Sequence, residues 1–453
     1  MVFIGAAISF EENSSPNGSY DKSRLVGFFG NVNYGYDNRY FLDLSFRTDG
    51  SSKFGRNSRF APFWSVGVAW NVHKEAFWSG DEKSSLKLRA SVGSTGTTNF
   101  SSTQALTTYN YDFSKIYNGV FGVSLAGYGN PELKWQNTIS YNVGVDMTLL
   151  KGLVTFNGDF YIKNTENLLL PLTVAPSTGF SSYVENIGKL RNTGIEGRLR
   201  LNLIRDTQRD LRWNVTLSAF HNKSKITKLS NQLEEINKYA NSDWYNQGTV
   251  VYRQYEAGRS QTALMMVRSG GIDPATGNEV YIKRNGELTF EYDANDKVKC
   301  GDMKPTIEGN VNTNLTWKGF TLYMLFKYQF GAKAYNGTLA SKVEGANPYK
   351  NADKRVLYDR WKEPGDHAKF RRIDDRTSPY QTTRLVFDND LFSLSSVSLS
   401  YELPREISQK IYADRVRLML STTDVFRLST IKQERGTSYP FARTFNLSLN
   451  VTF

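Results

Sequence analysis

The chain has 453 residues, of which 39% are apolar and 14% are aromatic, and its formal net charge is +12 at pH 7. No run of eighteen or more apolar residues occurs, which excludes transmembrane helices but leaves open a transmembrane β-barrel, whose strands need one apolar residue in two. Lysine and arginine are scattered along the chain and form no basic helix or arm, so the composition indicates no nucleic-acid partner.

The first ten residues, MVFIGAAISF, predict a strand rather than a leader peptide. They lack a positively charged start and run directly into Glu11 and Glu12, unlike a secretory signal. If the protein reaches an outer membrane, we therefore expect its export signal to lie outside this sequence. The one cysteine, Cys300, lies in a polar segment and excludes an internal disulfide.

Alternating apolar and polar residues predict long strands along most of the chain. The first two, residues 24–36 and 39–47, are joined by Asp37 and Asn38, as is typical of a tight hairpin. The clearest pattern lies in residues 135–149, where the alternation continues throughout. Further strands are predicted at residues 63–72, 85–93, 153–163, 193–203, 211–222, 306–317, 320–330, 391–403 and 416–424.

The last eleven residues, RTFNLSLNVTF, alternate strictly and end on an aromatic residue. A strand of about 9 to 11 residues is long enough for a tilted crossing of a bilayer. A soluble sheet also produces such alternation, so this strand alone does not decide between the two classes. The remaining strands and their connections distinguish between the two classes.

Short turns and long loops alternate between the predicted strands, as in bacterial outer-membrane barrels with short periplasmic turns and longer outer loops. The short turns at residues 37–38 and 318–319 lie on the same side of the membrane only if residues 223–302 cross it an even number of times. We therefore expect residues 223–302 to be an extracellular excursion with a hairpin at Asn285-Gly286. Residues 331–390 are predicted to form a second long extracellular loop.

These patterns together predict the fold class. The chain is expected to be all-β, a transmembrane antiparallel β-barrel with long extracellular loops and short periplasmic turns. The strands give about fourteen crossings, or sixteen if part of residues 223–302 also spans the membrane.

Several stretches are similar to the carboxy-terminal barrel portion of the SusC/RagA family of TonB-linked outer-membrane transporters. They occur in the family's order over nearly the whole chain, and together they are specific. These stretches are RTDGSSKFG at Arg47, GNPELKWQ at Gly129, NTGIEG at Asn192, GIDPATGNEVY at Gly271, GDMKPTIEGNVNTNLTWKGF at Gly301, RWKEPGD at Arg360, LSSVSLSYELP at Leu394 and RTFNLSLNVTF at Arg443.

The resemblance implies that residues 1–453 are the C-terminal part of a 22-stranded barrel whose lumen holds an amino-terminal plug. It also implies a SusD-like surface lipoprotein over the barrel mouth and a TonB complex that acts through the plug region. The family's signal peptide, TonB-contacting segment, plug and first strands are not found here. We therefore expect a fragment, one half of a split protein, or a non-functional remnant, because an open barrel edge leaves backbone groups unsatisfied in lipid.

The resemblance gives the C-terminal strand a further role. In this family a terminal aromatic on an alternating strand resembles the signal that the barrel-insertion machinery reads. Packing against outer-membrane lipid is the alternative, and the two roles are compatible. The residues predicted to form this membrane-insertion signal are Phe445, Leu447, Leu449, Val451 and Phe453.

The sequence contains no catalytic constellation. His73, His221 and His367 lie far apart without metal-ligand spacing, and no phosphate-binding loop or nucleophile motif occurs. We therefore expect neither an enzyme nor a metal or cofactor site. Acidic and amide clusters at residues 293–296 and 388–390 lack the spacing of a calcium-binding loop and are typical of solvated turns.

Aromatic residues in the predicted outer loops are candidates for stacking against a substrate. The alternative is that they pack the loops together or mark the membrane interface. The candidate substrate-binding residues are Tyr109, Tyr111, Trp244, Tyr245 and Tyr380, and Tyr252, Tyr255 and Tyr349 lie in the same predicted loops.

The resulting hypothesis is the barrel portion of a TonB-dependent importer of glycan oligosaccharides, or of peptides, in the cell outer membrane. A non-transporting surface binding or adhesion protein is the alternative, as is a truncated remnant. A secreted, soluble β-rich protein would require the alternation of short turns and long loops to be accidental.

Overall fold

A computed structural model gives the structure of the chain. It describes residues 3–7, 17–54, 58–81, 83–97, 106–127, 129–130, 132–173, 182–186, 188–229, 237, 255–347, 349–375, 377–431 and 442–453. In these ranges, no helix has both the length and the apolar character needed to cross a membrane.

Most of the described residues lie in strands. The strands β1 to β26 are Phe3–Ala7, Asn17–Asp21, Leu25–Tyr36, Tyr40–Ser51, Phe60–Asn71, Ser85–Thr97, Thr108–Tyr117, Val120–Gly127, Gln136–Leu149, Val154–Glu166, Leu169–Thr173, Ser182–Asn186, Lys189–Asp206, Leu211–Lys228, Ala263–Met266, Arg268–Ile272, Glu279–Ile282, Leu288–Thr289, Val298–Asp302, Ile307–Trp317, Phe320–Phe330, Lys333–Tyr335, Val386–Asp388, Leu391–Glu402, Arg415–Ser429 and Phe445–Thr452. A short α-helix, α1, is formed by Arg405–Ser408. The short 3-10 or π turns are Val72–Lys74, Leu150–Gly152, Ala294–Asp296, Leu339–Glu344, Lys354–Leu357, Thr383–Leu385 and Gln409–Ile411.

Thirteen strands form one antiparallel sheet, ordered β3-β4-β5-β6-β9-β10-β13-β14-β20-β21-β24-β25-β26. The strands of this sheet are ordered as they occur along the chain, and tight turns connect several neighbouring pairs at one end. Asp37 and Asn38 have φ values of 50° and 53°, and Lys318 and Gly319 have 47° and 83°. Two successive positive φ values define the type I′ turn, whose twist matches that of paired antiparallel strands.

The sheet confirms the predicted fold class, with thirteen of the fourteen predicted crossings as its strands. The remaining one differs, because Phe3–Ala7 pairs with Asn17–Asp21 in a separate two-stranded sheet. Within the described residues, the connection from β14 to β20 adds no strand to the large sheet, and β3 and β26 each have one neighbour, so the sheet does not close on itself.

The register places apolar residues of neighbouring strands opposite one another on one side of the sheet, which we call the apolar face. One row across β4, β5, β6, β9 and β10 consists of Leu42, Val68, Ala90, Val143 and Phe160. Val143 remains 60% exposed and Phe160 46% exposed, although both lie in the middle of long strands. A soluble sheet buries its apolar side against a second layer, whereas a membrane barrel presents it to lipid.

Aromatic side chains on the apolar face gather in two zones. Tyr40 and Trp70 pair close to the short turns, and Phe46 and Trp64 pair six residues farther along the same two strands. At 3.3 Å per residue this separation is about 20 Å along the strands. Two aromatic zones flanking an apolar band are typical of a transmembrane barrel at its two interfaces.

The segments that leave the large sheet between β14 and β20 and between β21 and β24 contact each other. Val267 forms a bridge with Thr382, and the backbone N–H of Ser269 donates to Thr383 Oγ1 over 3.0 Å. Trp361 Nε1 also donates to the carbonyl of Pro274 over 2.8 Å. We call residues 255–306 and 331–390 together the loop unit. Its extracellular position, predicted for most of these residues, stays a prediction.

Two hairpins lie outside the large sheet. β17 and β18 turn around residues 284–286, where Gly286 alone has a positive φ, so the turn is one residue longer than the two-residue turn predicted at Asn285-Gly286. β7 and β8 form a second hairpin inside a stretch that the sequence analysis assigned to a loop. Its turn is Asn118-Gly119, with φ values of 48° and 78°.

Candidate substrate-binding surface

The side of the large sheet opposite to the apolar face carries polar side chains, and we call it the polar face. One row crosses six strands, with each residue directly opposite the next. The row consists of Asn214, Asn314, Tyr323, Ser398, Ser421 and Asn446. Amide and hydroxyl groups both donate and accept hydrogen bonds, so this row suits a polar, uncharged ligand.

A charged network lies on the same face, across β6, β9 and β10. Arg89 Nε donates to Asp146 Oδ2 over 2.7 Å, and Arg89 Nη2 donates to Asp159 Oδ2 over 3.1 Å. Asn157 Nδ2 also donates to Asp146 Oδ1, over 2.7 Å. The two carboxylates and the single guanidinium therefore form a fixed, hydrogen-bonded group that can accept further hydrogen bonds.

Gly144 makes this network possible because it lies in register between Arg89 and Asp159. A Cβ atom at Gly144 would lie 2.5 Å from Asp159 Oδ1 and 2.7 Å from Arg89 Nη2. Atoms of different side chains do not approach so closely, so a larger residue would separate the guanidinium from its second carboxylate. The glycine is thus a packing requirement of the network.

A second charged network is buried in the loop unit. Arg371 Nε donates to Glu344 Oε1 over 2.8 Å, and Arg384 forms two hydrogen bonds of 2.8 Å with the two oxygens of Glu344. Arg384 also binds Glu279, with N–O distances of 3.1 Å. Since Glu279 lies in the first segment of the loop unit and the other residues in the second, this network joins the two segments.

The charges of this network are balanced. Arg371 and Arg384 form ion pairs with the carboxylates of Glu279, Glu344 and Asp375. The third arginine, Arg360, donates to the backbone carbonyls of Glu344 and Arg371. Burial alone would lower the pKa of Arg384, but the two glutamates outweigh it and raise that pKa. Burial lowers the pKa of Arg360, against the attraction of Glu344. Buried charges are tolerated where hydrogen bonds pair them in this way, and the loss of one partner leaves the others uncompensated.

Three tyrosines pack beside this network. The rings of Tyr292 and Tyr380 stack with centroids 4.1 Å apart, and Tyr281 meets both edge-on. Burial raises the pKa of Tyr281 far above its usual value, with Glu279 adding to the effect. The candidate Tyr380 therefore packs within the loop unit through one ring face, while its side chain stays partly exposed.

The other candidate aromatics lie in different places. Tyr109 and Tyr111 lie on β7, and the Tyr109 side chain is 63% exposed. Trp244 and Tyr245 lie outside the described residues. The structure does not bring Tyr109 and Tyr380 into contact, and substrate binding by any of the five candidates stays a prediction.

The two clusters of acidic and amide residues serve as turn caps in the structure. The side chain of Asp293 accepts a hydrogen bond from the backbone of Asn295, and Asp296 accepts one from the backbone of Arg284. In the second cluster, Asp390 accepts from the backbone of Gly331. Across the described ranges, no group of three or more histidine, cysteine, aspartate or glutamate side chains is arranged to hold a metal ion.

The fold and its two faces agree with a comparison to known families. Residues 5–336, more than half of the chain, match the family described as "TonB dependent receptor-like, beta-barrel". The chain belongs to this family. Its members are outer-membrane proteins and act as transporters rather than enzymes.

Relatives of this TonB-dependent receptor-like chain are considerably longer. The chain is 28% identical to TonB-dependent receptor P3 of Formosa agariphila, in an alignment that covers 99% of this chain and 47% of the relative. It is 25% identical to TonB-dependent receptor SusC of Bacteroides thetaiotaomicron, with 80% of this chain and 38% of SusC aligned. The chain thus spans less than half the length of these relatives.

Solved structures show the same fold. The RagAB peptide importer in its "closed-closed" state matches with a TM-score of 0.81 at 22% identity, covering 97% of this chain and 49% of the other. A structure of the RagAB peptide transporter matches with a TM-score of 0.79 at 23% identity, covering 93% and 46%. At this identity the likeness establishes the architecture of this receptor-like chain and nothing about its ligand.

The C-terminal strand of the receptor-like chain lies at one edge of the large sheet. Phe445, Leu447, Leu449 and Val451 lie on the apolar face opposite β25, and Leu447 is 72% exposed. Phe453 follows the end of β26 and is 82% exposed. The apolar face of the strand is therefore available to lipid or to a partner strand, and its role as an insertion signal stays a prediction.

The charged network of the loop unit in this receptor-like chain could not be recognised from the sequence. Glu279 and Arg384 are 105 residues apart, so no local spacing connects them. A weak signal existed in residues 371–375, RRIDD, where two basic residues are followed closely by two acidic ones, but such charged runs usually mark a solvated surface. The β7–β8 hairpin had a clearer signal in the dipeptide Asn118-Gly119, which is the strongest short-range mark of a hairpin turn.

Proposed function

We propose that the chain forms the wall and outer loops of a TonB-dependent outer-membrane importer of glycan oligosaccharides or peptides. The observation that carries this proposal is the thirteen-stranded sheet, with one exposed apolar face and one polar face, in a chain that belongs to the TonB-dependent receptor-like family. The apolar face contacts lipid and the polar face lines the lumen. The barrel is completed by sequence outside this chain.

The chemistry of the polar face supports an uncharged, polar substrate. Its row of amide and hydroxyl groups suits the hydroxyls of a sugar or the amides of a peptide, and the Arg89–Asp146 pair offers fixed acceptors. Among the relatives, one is named SusC and the solved RagAB structures are described as a peptide importer. Both substrate classes therefore remain within the proposal, and neither requires bond chemistry by this chain.

The loop unit supports a role in enclosure. A buried charged network and backbone contacts join its two segments, which both leave the large sheet at the same end. In the proposed importer, a SusD-like surface lipoprotein covers the mouth beside the loop unit, and a TonB complex pulls a plug supplied by the rest of the protein. Exposed apolar side chains in the second segment, such as Leu357 and Tyr358, suit a protein partner at this end.

A deletion strain tests this proposal. Removing the gene is expected to abolish uptake of one class of substrate from a panel of labelled oligosaccharides and peptides, and the wild-type gene should restore it. Replacing Asn314 with leucine removes one hydrogen-bonding side chain from the polar face, and we expect about fivefold weaker uptake, since such a bond contributes about 1 kcal/mol. Leu315→Ile, on the apolar face of the same strand, is the matched control and should transport normally.

If the deletion strain takes up the whole panel as well as the wild type does, the importer proposal is wrong. Loss of surface binding without any loss of uptake would instead support a non-transporting binding protein. A normal level of Asn314→Leu protein in the outer membrane is needed for the comparison, and heat-modifiable migration on gels measures it.

A further inference from the structure

A group of basic residues lies on the same side of the sheet as the apolar face, at the end that leads to the long connections. It consists of Lys189 and Arg191 on β13 and Lys223, Lys225 and Lys228 on β14, and we call it the basic patch. All five side chains are exposed. The register confirms the face for Lys223, which is opposite Thr193, and Thr193 in turn is opposite Ile162 of the apolar face.

Like charges oppose each other within the basic patch. Arg191 is the cross-strand partner of Lys225, and Lys189 is the cross-strand partner of Lys228. Like charges in directly opposed positions destabilise an antiparallel pair. Two such pairs, separated by a register shift, are therefore unfavourable for the sheet alone, and an anion bound between them would offset this cost.

The protein itself neutralises little of this charge. Glu166 contacts Lys189 over 2.5 Å, and Arg191 Nε donates to the neutral side chain of Asn164 over 2.8 Å. Among the described residues, Lys223, Lys225 and Lys228 have no ion-pair partner. The five basic groups on β13 and β14 and the carboxylate of Glu166 on β10 together carry a net charge of +4.

Along the strands, the basic patch lies at the level where the apolar band of the sheet ends. Ile195, the last apolar residue of β13 on this face, is 58% exposed, and Arg191 lies four residues farther along the same strand. Four residues correspond to about 13 Å along a strand. The patch is therefore directly beyond the apolar band, where lipid headgroups meet the wall of a membrane barrel.

We propose that the basic patch binds the phosphate groups of a glycolipid in the outer leaflet of the outer membrane. This proposal rests on the proposed function, because it requires the end with the long connections to face the cell exterior. The acyl chains of such a lipid lie against the apolar face below the patch, next to Ile195 and Phe160. Arg191 offers its guanidinium edge to a phosphate, and the lysines supply mobile point charges around it.

Lipid binding is measured on the protein purified from outer membranes and stripped of lipid, with fluorescently labelled lipopolysaccharide as the probe. The test variant replaces Lys223, Lys225 and Lys228 with glutamine. The control variant replaces three exposed lysines outside the patch, Lys342, Lys350 and Lys410, with glutamine. Each charge near a phosphate contributes about a fivefold change in affinity, so we expect roughly 100-fold weaker binding by the test variant and unchanged binding by the control.

Two further probes identify the source of the anion. Dephosphorylated lipopolysaccharide should bind wild-type protein as weakly as the intact lipid binds the test variant, and inorganic phosphate should fail to compete at equal concentration. Equal binding of the test variant and wild type, or of dephosphorylated and intact lipid, would overturn the proposal. If inorganic phosphate competes at equal concentration, the anion that binds the patch is free phosphate and not a lipid headgroup. The assay needs no uptake, so failure of the importer proposal would show separately, as unchanged uptake by the deletion strain while lipid binding to the purified protein stays intact.

Discussion

Replacing Glu344 with alanine is expected to unfold the loop unit while the large sheet stays intact. Glu344 is fully buried and accepts hydrogen bonds from both Arg371 and Arg384. Without it, two buried guanidinium groups face each other with one fewer carboxylate, and breaking a buried pair in this way costs about 3 to 5 kcal/mol. Hydrogen exchange measures the result, as lost protection in peptides from residues 263–302 and 331–390.

The matched control is an exposed ion pair in the same segment. Lys369 Nζ lies 3.0 Å from Asp359 Oδ2, with both side chains more than half exposed, so Lys369→Ala should change the stability by about 0 to 1 kcal/mol. Peptides from β9 and β10 should keep their protection in both variants. If Glu344→Ala leaves the loop unit as protected as Lys369→Ala does, the buried network does not hold the two segments together.

Replacing Val143 with arginine is expected to reduce assembly into the membrane. Val143 lies near the middle of β9 on the apolar face and is 60% exposed, so the new charge would lie close to the bilayer midplane. An arginine on the lipid face at that depth costs about 2 to 4 kcal/mol. The measurements are the folded fraction in outer membranes and the free energy of unfolding from liposomes in urea.

The neighbouring residue provides the control. Asn142 lies on the polar face of the same strand, so Asn142→Arg adds the same charge to the lumen side and should leave membrane assembly near the wild-type level. Equal effects of the two substitutions would mean that the two faces of the sheet do not have different surroundings.

The strands and their faces could be predicted from the sequence because both depend on local order. In β9, the alternation of residues 136–149 determines at once that the segment is extended and which side chains share a face. The tight turn at Asp37-Asn38 was also predicted locally, because those residue types tolerate the positive φ that a type I′ turn needs. Thirteen strands with these properties were enough to establish the fold class.

Strand length was less predictable where the apolar pattern of a strand ends before the strand does. The prediction for β13 began at residue 193, whereas the strand begins at Lys189. Lys189 and Arg191 continue the register of β13, but they replace apolar residues with charges, so the alternation in hydrophobicity ends before the strand does. Lys189 and Arg191 belong to the basic patch, whose other three residues lie on β14, and the sequence alone did not indicate this patch.

The loop unit could not be predicted because its contacts join distant parts of the chain. Glu279, Glu344 and Arg384 have no periodic relation, and each is a common surface residue type when considered by itself. Their burial follows only from the docking of two segments separated by β20 and β21. The candidate aromatics met the same difficulty, since Tyr380 acquires its stacked partner Tyr292 from the other segment.

The central claim is that the large sheet has one face in lipid and one face in a water-filled lumen. Nitroxide labels placed singly at residues 139–148, in a Cys300→Ser background and in native outer membranes, test it through collisions with oxygen and with a water-soluble nickel chelate. The claim predicts a period of two, with labels at odd-numbered positions such as residue 143 accessible to oxygen and labels at even-numbered positions accessible to the chelate. Uniform access of the chelate to both sets would contradict it.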